Sequence, residues 1–160
     1  MIRSATPSDA EAIVAIYNPF VTGTIITFET VPVPAQEMAE RIRGVTAAYP
    51  WLVREEGGEI LGYAYASRWK DREAYRFAVE TTVYVAPEHA RKGVGASLYQ
   101  ALIPELRRRG FHSALGGIAL PNDASVALHE RCGFRPAGQL PQVGWKLGRW
   151  VDVGYWALVL

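Results

Sequence analysis

The chain has 160 residues, 49% of them hydrophobic, with 17 lysines and arginines against 16 aspartates and glutamates. This length and composition predict one globular domain spanning residues 1–160 that needs neither disulfides nor a structural metal. The formal net charge of +1 creates no global basic field for nucleic acid or an anionic membrane. Any charged ligand must therefore be held locally.

The single cysteine and the N-terminal sequence bear on the cellular location of the protein. The single cysteine, Cys132, cannot form an internal disulfide, and no cluster of cysteine and histidine has the spacing of a zinc site. The N-terminus lacks a basic segment followed by an apolar one, and no apolar run approaches the roughly 18 residues of a spanning helix. We expect a cytoplasmic protein without metal or membrane segment.

The first half of the chain predicts a strand, two helices and two strands. "IRSA" is typical of a short strand, and Thr6 with Pro7 then marks a helix start. Residues 21–34 predict a loop because their glycine, threonine and proline content disfavours helix. "AQEMAERIRGVTAAY" follows as a second helix, and residues 51–69 read as two strands joined by the turn "EEGGE".

The second half centres on a strand, a turn and a helix. "AVETTVYVAP" predicts a strand in which Glu80, Thr82 and Tyr84 face one way and the intervening residues the other. A helix after the next turn ends near Gly110. A strand, a short helix and two strands complete the predicted order β-α-α-β-β-β-α-β-α-β-β, an α/β domain.

The turn "EHARKGVGASLY" is shaped to hold an anion. Gly93 and Gly95 do not form a nucleotide P-loop because no Lys-Ser or Lys-Thr follows them, and Leu98 breaks the dinucleotide fingerprint. A strand that runs into glycines at a helix start exposes unpaired N–H groups that suit phosphate oxygens, and Arg91 and Lys92 add charge. The alternative is a glycine turn with a solvated basic edge.

Three polar residues share one face of the later short helix. Asn122, Ser125 and His129 are spaced i, i+3 and i+7. They either line a site together, or Asn122 caps the helix, Ser125 supports its first turn and His129 is solvated.

These motifs together resemble a known family. "VETTVYV", "HARKGVGASL" and "NDASVALHERCGF" resemble the GNAT acyl-CoA-dependent N-acetyltransferases. "TFET", "RWKDREAY", "ALPNDASVALHE" and "GWKLGRWVDVGYW" resemble in particular the phosphinothricin acetyltransferases and their relatives that acetylate methionine sulfoximine and sulfone. The resemblance implies the GNAT fold, an α+β arrangement with a mixed sheet splayed at the fourth strand and flanked by helices, with acetyl-CoA in the opening.

The resemblance also implies which residues hold acetyl-CoA. The pantetheine arm would pair with the fourth strand like an added strand. The pyrophosphate would lie on the N–H groups of the turn, and two residues of the later helix would contact the cofactor. The residues concerned are Val83, Tyr84, Val85, Arg91, Lys92, Gly93, Val94, Gly95, Ala96, Asn122 and Ser125. Ala90 departs from the family pattern, which has Arg or Gln there, and Arg91 would supply the charge from a shifted place.

Two residues are candidates for the proton transfers. Glu80, a carboxylate within a β-rich strand, would act as general base through water; the alternative is a salt bridge to Arg72 or Arg76. His129 would either protonate the departing thiolate or relay the proton of the amine. Cys132 is expected to be a small buried residue and not a nucleophile.

The acceptor pocket is predicted from charged and aromatic residues. Arg72 and Lys70, with Asp71 between them, would meet the carboxylate or polar end of an amino-acid-like acceptor, unless this loop is simply solvated. Phe28 would wall the pocket, and Thr81 and Thr82 would offer hydroxyls beside the acetyl group.

The last sixteen residues hold four aromatic side chains, which indicates an interface. The resemblance implies a homodimer with the pocket near that interface; the alternative is a C-terminal hairpin packed on its own core.

The leading hypothesis is an acetyl-CoA-dependent N-acetyltransferase that acts by direct transfer on a small acceptor of the phosphinothricin, methionine sulfoximine or methionine sulfone type, a detoxification activity. Two alternatives stay open. A protein N-terminal or lysine acetyltransferase would need an open groove, and a non-catalytic acyl-CoA-binding sensor would need no base.

Overall fold

The computed structural model describes residues 1–160 as one mixed sheet with four helices. The strands are β1 (Ile2–Ser4), β2 (Trp51–Glu56), β3 (Glu59–Arg68), β4 (Ala78–Val85), β5 (Ser113–Leu120), β6 (Arg135–Lys146) and β7 (Arg149–Val159). The helices are α1 (Ala10–Gly23), α2 (Ala35–Thr46), α3 (Val94–Arg108) and α4 (Asp123–Arg131). The predicted order of elements is confirmed. None of the helices combines the length and the apolar composition needed to cross a bilayer.

The sheet opens between β4 and β5. Its order is β1-β2-β3-β4-β5-β7-β6, and β4 and β5 form the only parallel pair. They pair only from Ala78 opposite Ser113 to Glu80 opposite Leu115. Beyond Glu80, β4 continues its pairing with β3 as far as Val85, while β5 continues its pairing with β7. The predicted splay at the fourth strand is confirmed, and it begins immediately after Glu80.

Helices cover both faces of this sheet. Helices α1 and α2 pack on one face around Ile13 and Ile42, whereas α3 covers the other face with a stripe that includes Leu98 and Leu106. The side chains of β4 point alternately to these two faces. Val79 and Thr81 point to the face covered by α3 and are almost fully buried. Glu80 therefore faces the α1 and α2 side.

The loop predicted for residues 21–34 is wrong over its first three residues, because α1 continues to Gly23. Two threonines explain the difference. The hydroxyl of Thr22 donates to the carbonyl of Asn18 (3.3 Å), and that of Thr24 donates to the carbonyl of Phe20 (2.8 Å). Carbonyls in the last turn of a helix have no backbone partner, so hydroxyls at these positions satisfy the end of the helix.

A buried lysine ties the C-terminal hairpin to α1 and the following loop. Lys146, at the end of β6, is 4% exposed, and its Nζ donates to the carbonyls of Thr27 (2.6 Å) and Phe20 (3.3 Å). Burial lowers the pKa of Lys146. The ring of Phe28 fills the space that a side chain at Gly144 would need. The hairpin thus fixes the loop that carries Phe28.

Replacing Lys146 tests this connection. Lys146→Met keeps the apolar stem but leaves the buried carbonyl of Thr27 without its donor, whereas the carbonyl of Phe20 still accepts from Thr24. We therefore expect the free energy of unfolding to fall by about 1–3 kcal/mol in urea titrations. Arg149→Met is the matched control, because Arg149 is the exposed residue opposite Lys146 in the hairpin. Equal unfolding midpoints for the two variants would contradict the role of Lys146.

Candidate active site

A cavity of about 410 Å³ lies where β4 and β5 part. Its walls come from β4 and β5, from Tyr99 on α3, from α4, from the loop at residues 26–28 and from the C-terminal hairpin. The structure brings nine of the predicted site residues into this lining: Phe28, Glu80, Thr81, Thr82, Val83, Tyr84, Asn122, Ser125 and His129.

Glu80 is a half-buried carboxylate without an ion pair. The predicted alternative, a salt bridge to Arg72 or Arg76, is wrong: Arg76 lies 3.5 Å from Glu73, and Arg72 has no acidic partner. Burial raises the pKa of Glu80, and the charge of Lys70 opposes this rise. A raised pKa makes the carboxylate a stronger base at neutral pH.

Two consecutive glycines of β5 make room for Glu80 and His129 on opposite faces of the sheet. A Cβ atom at Gly116 would lie 2.5 Å from Nε2 of His129. A Cβ atom at Gly117 would lie 3.3 Å from Oε1 of Glu80 and 3.1 Å from Cε1 of Tyr155. A larger residue at Gly116 would displace His129, and one at Gly117 would crowd Tyr155 and Glu80.

His129 is held in one orientation on α4. It is 4% exposed, so the predicted alternative of a solvated histidine is wrong. Its Nδ1 donates to the carbonyl of Ser125 (2.7 Å), and because a carbonyl can only accept, Nδ1 carries the hydrogen. Nε2 faces the hydroxyl of Tyr99 at 3.0 Å. Burial lowers the pKa of His129, so the imidazole is neutral at pH 7.

Tyr99 is a site residue that the sequence analysis missed. It is fully buried on α3, and besides His129 its hydroxyl contacts Oγ1 of Thr81 (3.3 Å). Burial raises the pKa of Tyr99. A tyrosine within an apolar helical stripe is itself a signal, since a buried phenol usually requires a polar partner.

The glycine turn leads into α3 with open backbone donors. Gly93 and Arg91 have positive φ angles of 78° and 61°, a conformation that is easy for glycine and uncommon for arginine. No side chain caps the start of α3, so its first N–H groups are free to meet an anion. A Cβ at Gly95 would lie 3.0 Å from Leu128 and 3.6 Å from Val85, which places the turn against the end of β4.

The other residues predicted to bind acetyl-CoA differ in their exposure to solvent. Arg91 and Lys92 are exposed beside the turn, and Val94 is buried within the α3 core. Asn122 caps α4, as the predicted alternative states, because its Oδ1 accepts from the N–H of Ser125 (3.2 Å). It nevertheless lines the cavity as well.

The charged loop after β3 lies outside the main cavity. Asp71 is 3.5 Å from Arg68, and Lys70 lies over the ring of Trp69 at 5.0 Å. These residues and Arg72 border a separate exposed hollow. The Trp69 ring packs edge-on against Tyr155, which lines the main cavity, so the loop adjoins the site through an aromatic pair. Contact of Lys70, Asp71 and Arg72 with an acceptor stays a prediction.

Cys132 follows α4 and is half-buried. Burial raises the pKa of its thiol, which keeps it protonated and poorly nucleophilic. This environment agrees with the expectation that Cys132 is not a nucleophile, although the residue is half-buried and not fully buried as expected.

Comparison with known proteins assigns the family. The profile of the Acetyltransferase (GNAT) family matches residues 12–134. The chain belongs to the GNAT family of acetyltransferases. This acetyltransferase is 43% identical over 155 residues to a phosphinothricin N-acetyltransferase of Streptomyces viridochromogenes, covering 97% of this chain and 85% of that protein. It is 41% identical to the L-methionine sulfoximine/L-methionine sulfone acetyltransferase of Pseudomonas aeruginosa, covering 99% and 94%.

Solved structures share the fold of this acetyltransferase. A phosphinothricin acetyltransferase from Sinorhizobium meliloti in complex with acetyl-CoA superimposes with a TM-score of 0.96 at 36% identity, over 100% of this chain and 88% of the other. A ribosomal-protein-alanine N-acetyltransferase from Brucella melitensis gives a TM-score of 0.97 at 36% identity, over 100% and 99%. The fold therefore does not discriminate between small and protein acceptors.

The buried carboxylate makes a prediction about stability. Because the pKa of Glu80 is raised in the folded state, ionisation of Glu80 lowers stability as pH rises above its unfolded pKa of 4.5. Glu80→Gln should therefore raise the melting temperature at about pH 7 and leave it unchanged at about pH 4, where wild-type Glu80 is largely protonated. Glu11→Gln, on the exposed side of α1, controls for the loss of one charge. A Glu80→Gln protein less stable at neutral pH would show that the carboxylate is stabilised by its surroundings.

Proposed function

We propose that this acetyltransferase transfers the acetyl group of acetyl-CoA directly to the amino group of a small amino-acid-like acceptor of the phosphinothricin, methionine sulfoximine or methionine sulfone type. One observation carries the proposal: Glu80 and His129 lie on opposite faces of the sheet and line the same cavity, where β4 and β5 part. The names of the similar proteins support the acceptor class.

The open edge of β4 supports acetyl-CoA as the cosubstrate. From Thr81 onward, β4 lacks a partner on its β5 side, so the backbone of Val83 to Val85 is available to a pantetheine arm. The uncapped start of α3 lies at the end of the same strand and suits the diphosphate, with Arg91 and Lys92 adding positive charge. Ala90 supplies no charge, so the backbone carries most of this contact.

Glu80 fits the role of base in this reaction. An amino group with a pKa near 8 is mostly protonated at pH 7 and must lose a proton before it attacks the thioester. Glu80, with its raised pKa and no ion pair, can accept this proton through water. A backbone N–H near Tyr84 or Val85 would polarise the thioester carbonyl.

The cavity favours a small acceptor over a protein chain. Its volume of about 410 Å³ lies at the lower end of the range typical of small-molecule pockets, roughly 300–1,000 Å³. Phe28, with Lys146 and Gly144 behind its loop, walls one side of the pocket. An acceptor in this cavity would be held between the ring of Phe28 and the open edge of β4.

The C-terminal hairpin supports a homodimer. Trp145 and Trp150 pack together with ring centroids 4.8 Å apart, yet each is about 60% exposed. Leu140 and Val143 of the same hairpin are also exposed, and both line the cavity. A second copy of the chain covering this apolar surface would bury the aromatic pair and close the cavity from one side.

A panel of acceptors tests the proposed function. Wild-type protein with acetyl-CoA should release thiol with at least one of phosphinothricin, methionine sulfoximine and methionine sulfone, and mass spectrometry should find the acetyl group on the amine. Peptides with an N-terminal alanine or an internal lysine should not react. Reaction with peptides alone would indicate a protein acetyltransferase, and tight acetyl-CoA binding without thiol release would indicate a sensor.

Glu80→Gln is the mechanistic control for this assay. It should retain acetyl-CoA binding, lose turnover at about pH 7 and recover as pH rises, because the free fraction of neutral amine then increases without a base. A turnover profile identical to that of wild type would remove Glu80 as the base.

A further inference from the structure

Three hydrogen bonds and one contact between hydroxyl oxygens form a line from α4 through α3 to β4. The carbonyl of Ser125 accepts from Nδ1 of His129 (2.7 Å), and Nε2 of His129 contacts the hydroxyl of Tyr99 (3.0 Å). That hydroxyl also lies 3.3 Å from Oγ1 of Thr81, which donates to the carbonyl of Leu115 (3.3 Å). The line ends where the backbone pairing of β4 and β5 stops.

Both nitrogens of His129 are engaged in this line. With its hydrogen on Nδ1, the neutral ring has a bare Nε2, which can only accept, so Tyr99 donates its hydroxyl hydrogen to it. No nitrogen of the imidazole is left to meet a substrate directly. A proton that reaches or leaves His129 through this line must pass through the hydroxyl of Tyr99.

We propose that Tyr99 and His129 act as one proton-transfer unit, in which the Tyr99 hydroxyl exchanges protons with the reacting atoms and His129 stores one proton through Nε2. This inference rests on the proposed N-acetyl transfer. It assigns a role to Tyr99 and answers whether His129 acts as acid or as relay: it takes the second proton of the amine and returns it to the leaving thiolate.

The unit accounts for the proton of the acceptor that Glu80 does not take. An acceptor ammonium gives its first proton to Glu80, and the resulting amine attacks the thioester carbon, which forms the C–N bond and leaves a second excess proton on nitrogen. As Tyr99 takes this proton, its own proton moves to Nε2 of His129. The C–S bond then breaks with its electron pair on sulfur, and the imidazolium returns its proton through Tyr99 to give the thiol. The products are amide and thiol, with one proton released from Glu80 to solvent.

The surroundings favour the resting form of the unit. Burial raises the pKa of Tyr99, and Cys132, which follows α4, and Glu80, on the opposite face of β4, raise it further, whereas the contact with the hydroxyl of Thr81 lowers it. Burial also lowers the pKa of His129. Tyr99 therefore rests protonated and His129 neutral, so the unit begins ready to accept a proton and returns it readily once the thiolate appears.

A purely structural role for Tyr99 makes different predictions. The ring of Tyr99 stacks on Phe134 with centroids 5.7 Å apart and meets His129 edge-on at 5.2 Å. Phenylalanine would keep both ring contacts and lose only the hydroxyl. The variant Tyr99→Phe therefore separates proton transfer from packing.

Steady-state kinetics on the full-length protein form the first test. Tyr99→Phe should lower kcat about 10- to 100-fold, within the range expected for acid–base groups, while the KM for acetyl-CoA stays within about twofold. His129→Gln should cause a similar loss, and the double variant should be no worse than the more impaired single variant, since the two residues act as one unit. Tyr63→Phe, another buried tyrosine in the other face of the core, is the matched control and should keep wild-type kcat.

Multiplicative losses in the double variant, or an unchanged kcat in Tyr99→Phe, would overturn the proposal while leaving the acetyltransferase activity intact.

Nitrogen-15 NMR of the imidazoles gives a readout that does not depend on turnover. Wild-type His129 should show the neutral form with hydrogen on Nδ1, and the Nε2 resonance should shift in Tyr99→Phe. If wild-type protein acetylates none of the acceptors, the proposed function fails; an Nε2 resonance that is the same in both proteins would overturn the Tyr99–His129 unit.

Discussion

The separation of β4 from β5 after Glu80 is the constraint on which the site depends. Parallel pairing over only three residue pairs leaves one edge of β4 open, and the side chains just beyond it face a cavity from both sides of the sheet. Because successive residues of a strand point to opposite faces, Glu80 and Thr81 lie on different sides of the sheet although they are adjacent in the chain. Gly116 and Gly117 repeat this alternation on β5, giving His129 and Glu80 the space they occupy.

Burying the polar and charged groups around this opening costs folding free energy. A buried carboxylate with a raised pKa, a buried neutral histidine and a buried lysine all lose solvation on folding. Lys146 recovers part of this loss through two carbonyls, and His129 through Ser125 and Tyr99. Glu80 has no such compensation. This difference is consistent with a group that exchanges protons with a substrate instead of holding the fold together.

Much of this arrangement could be predicted from the sequence, because it follows from local patterns. Alternation along "AVETTVYV" separated Glu80 from Thr81, and the spacing of Asn122, Ser125 and His129 placed them on one helical face. Contacts between distant segments could not be predicted. Tyr99 lies 30 residues from His129, and Lys146 lies 119 residues from Thr27, so neither role has a local signature. The sequence predicts that α1 ends too early, because threonine disfavours helix. In the structure, the hydroxyls of Thr22 and Thr24 instead donate to carbonyls in the last turns of α1 and stabilise its end. The position of Lys70 to Arg72 outside the cavity likewise depends on loop packing that no periodicity encodes.

Amide hydrogen exchange tests the central claim that the open edge of β4 receives acetyl-CoA. Saturating acetyl-CoA should slow exchange in two segments, residues 81–85 of β4 and residues 91–96 of the turn before α3, because a pantetheine arm would pair with the first and a diphosphate would bind the second. Exchange in β1 and β2, far from the opening, should not change. Acetyl-CoA binding that protects other segments and leaves residues 81–85 unchanged would contradict the claim.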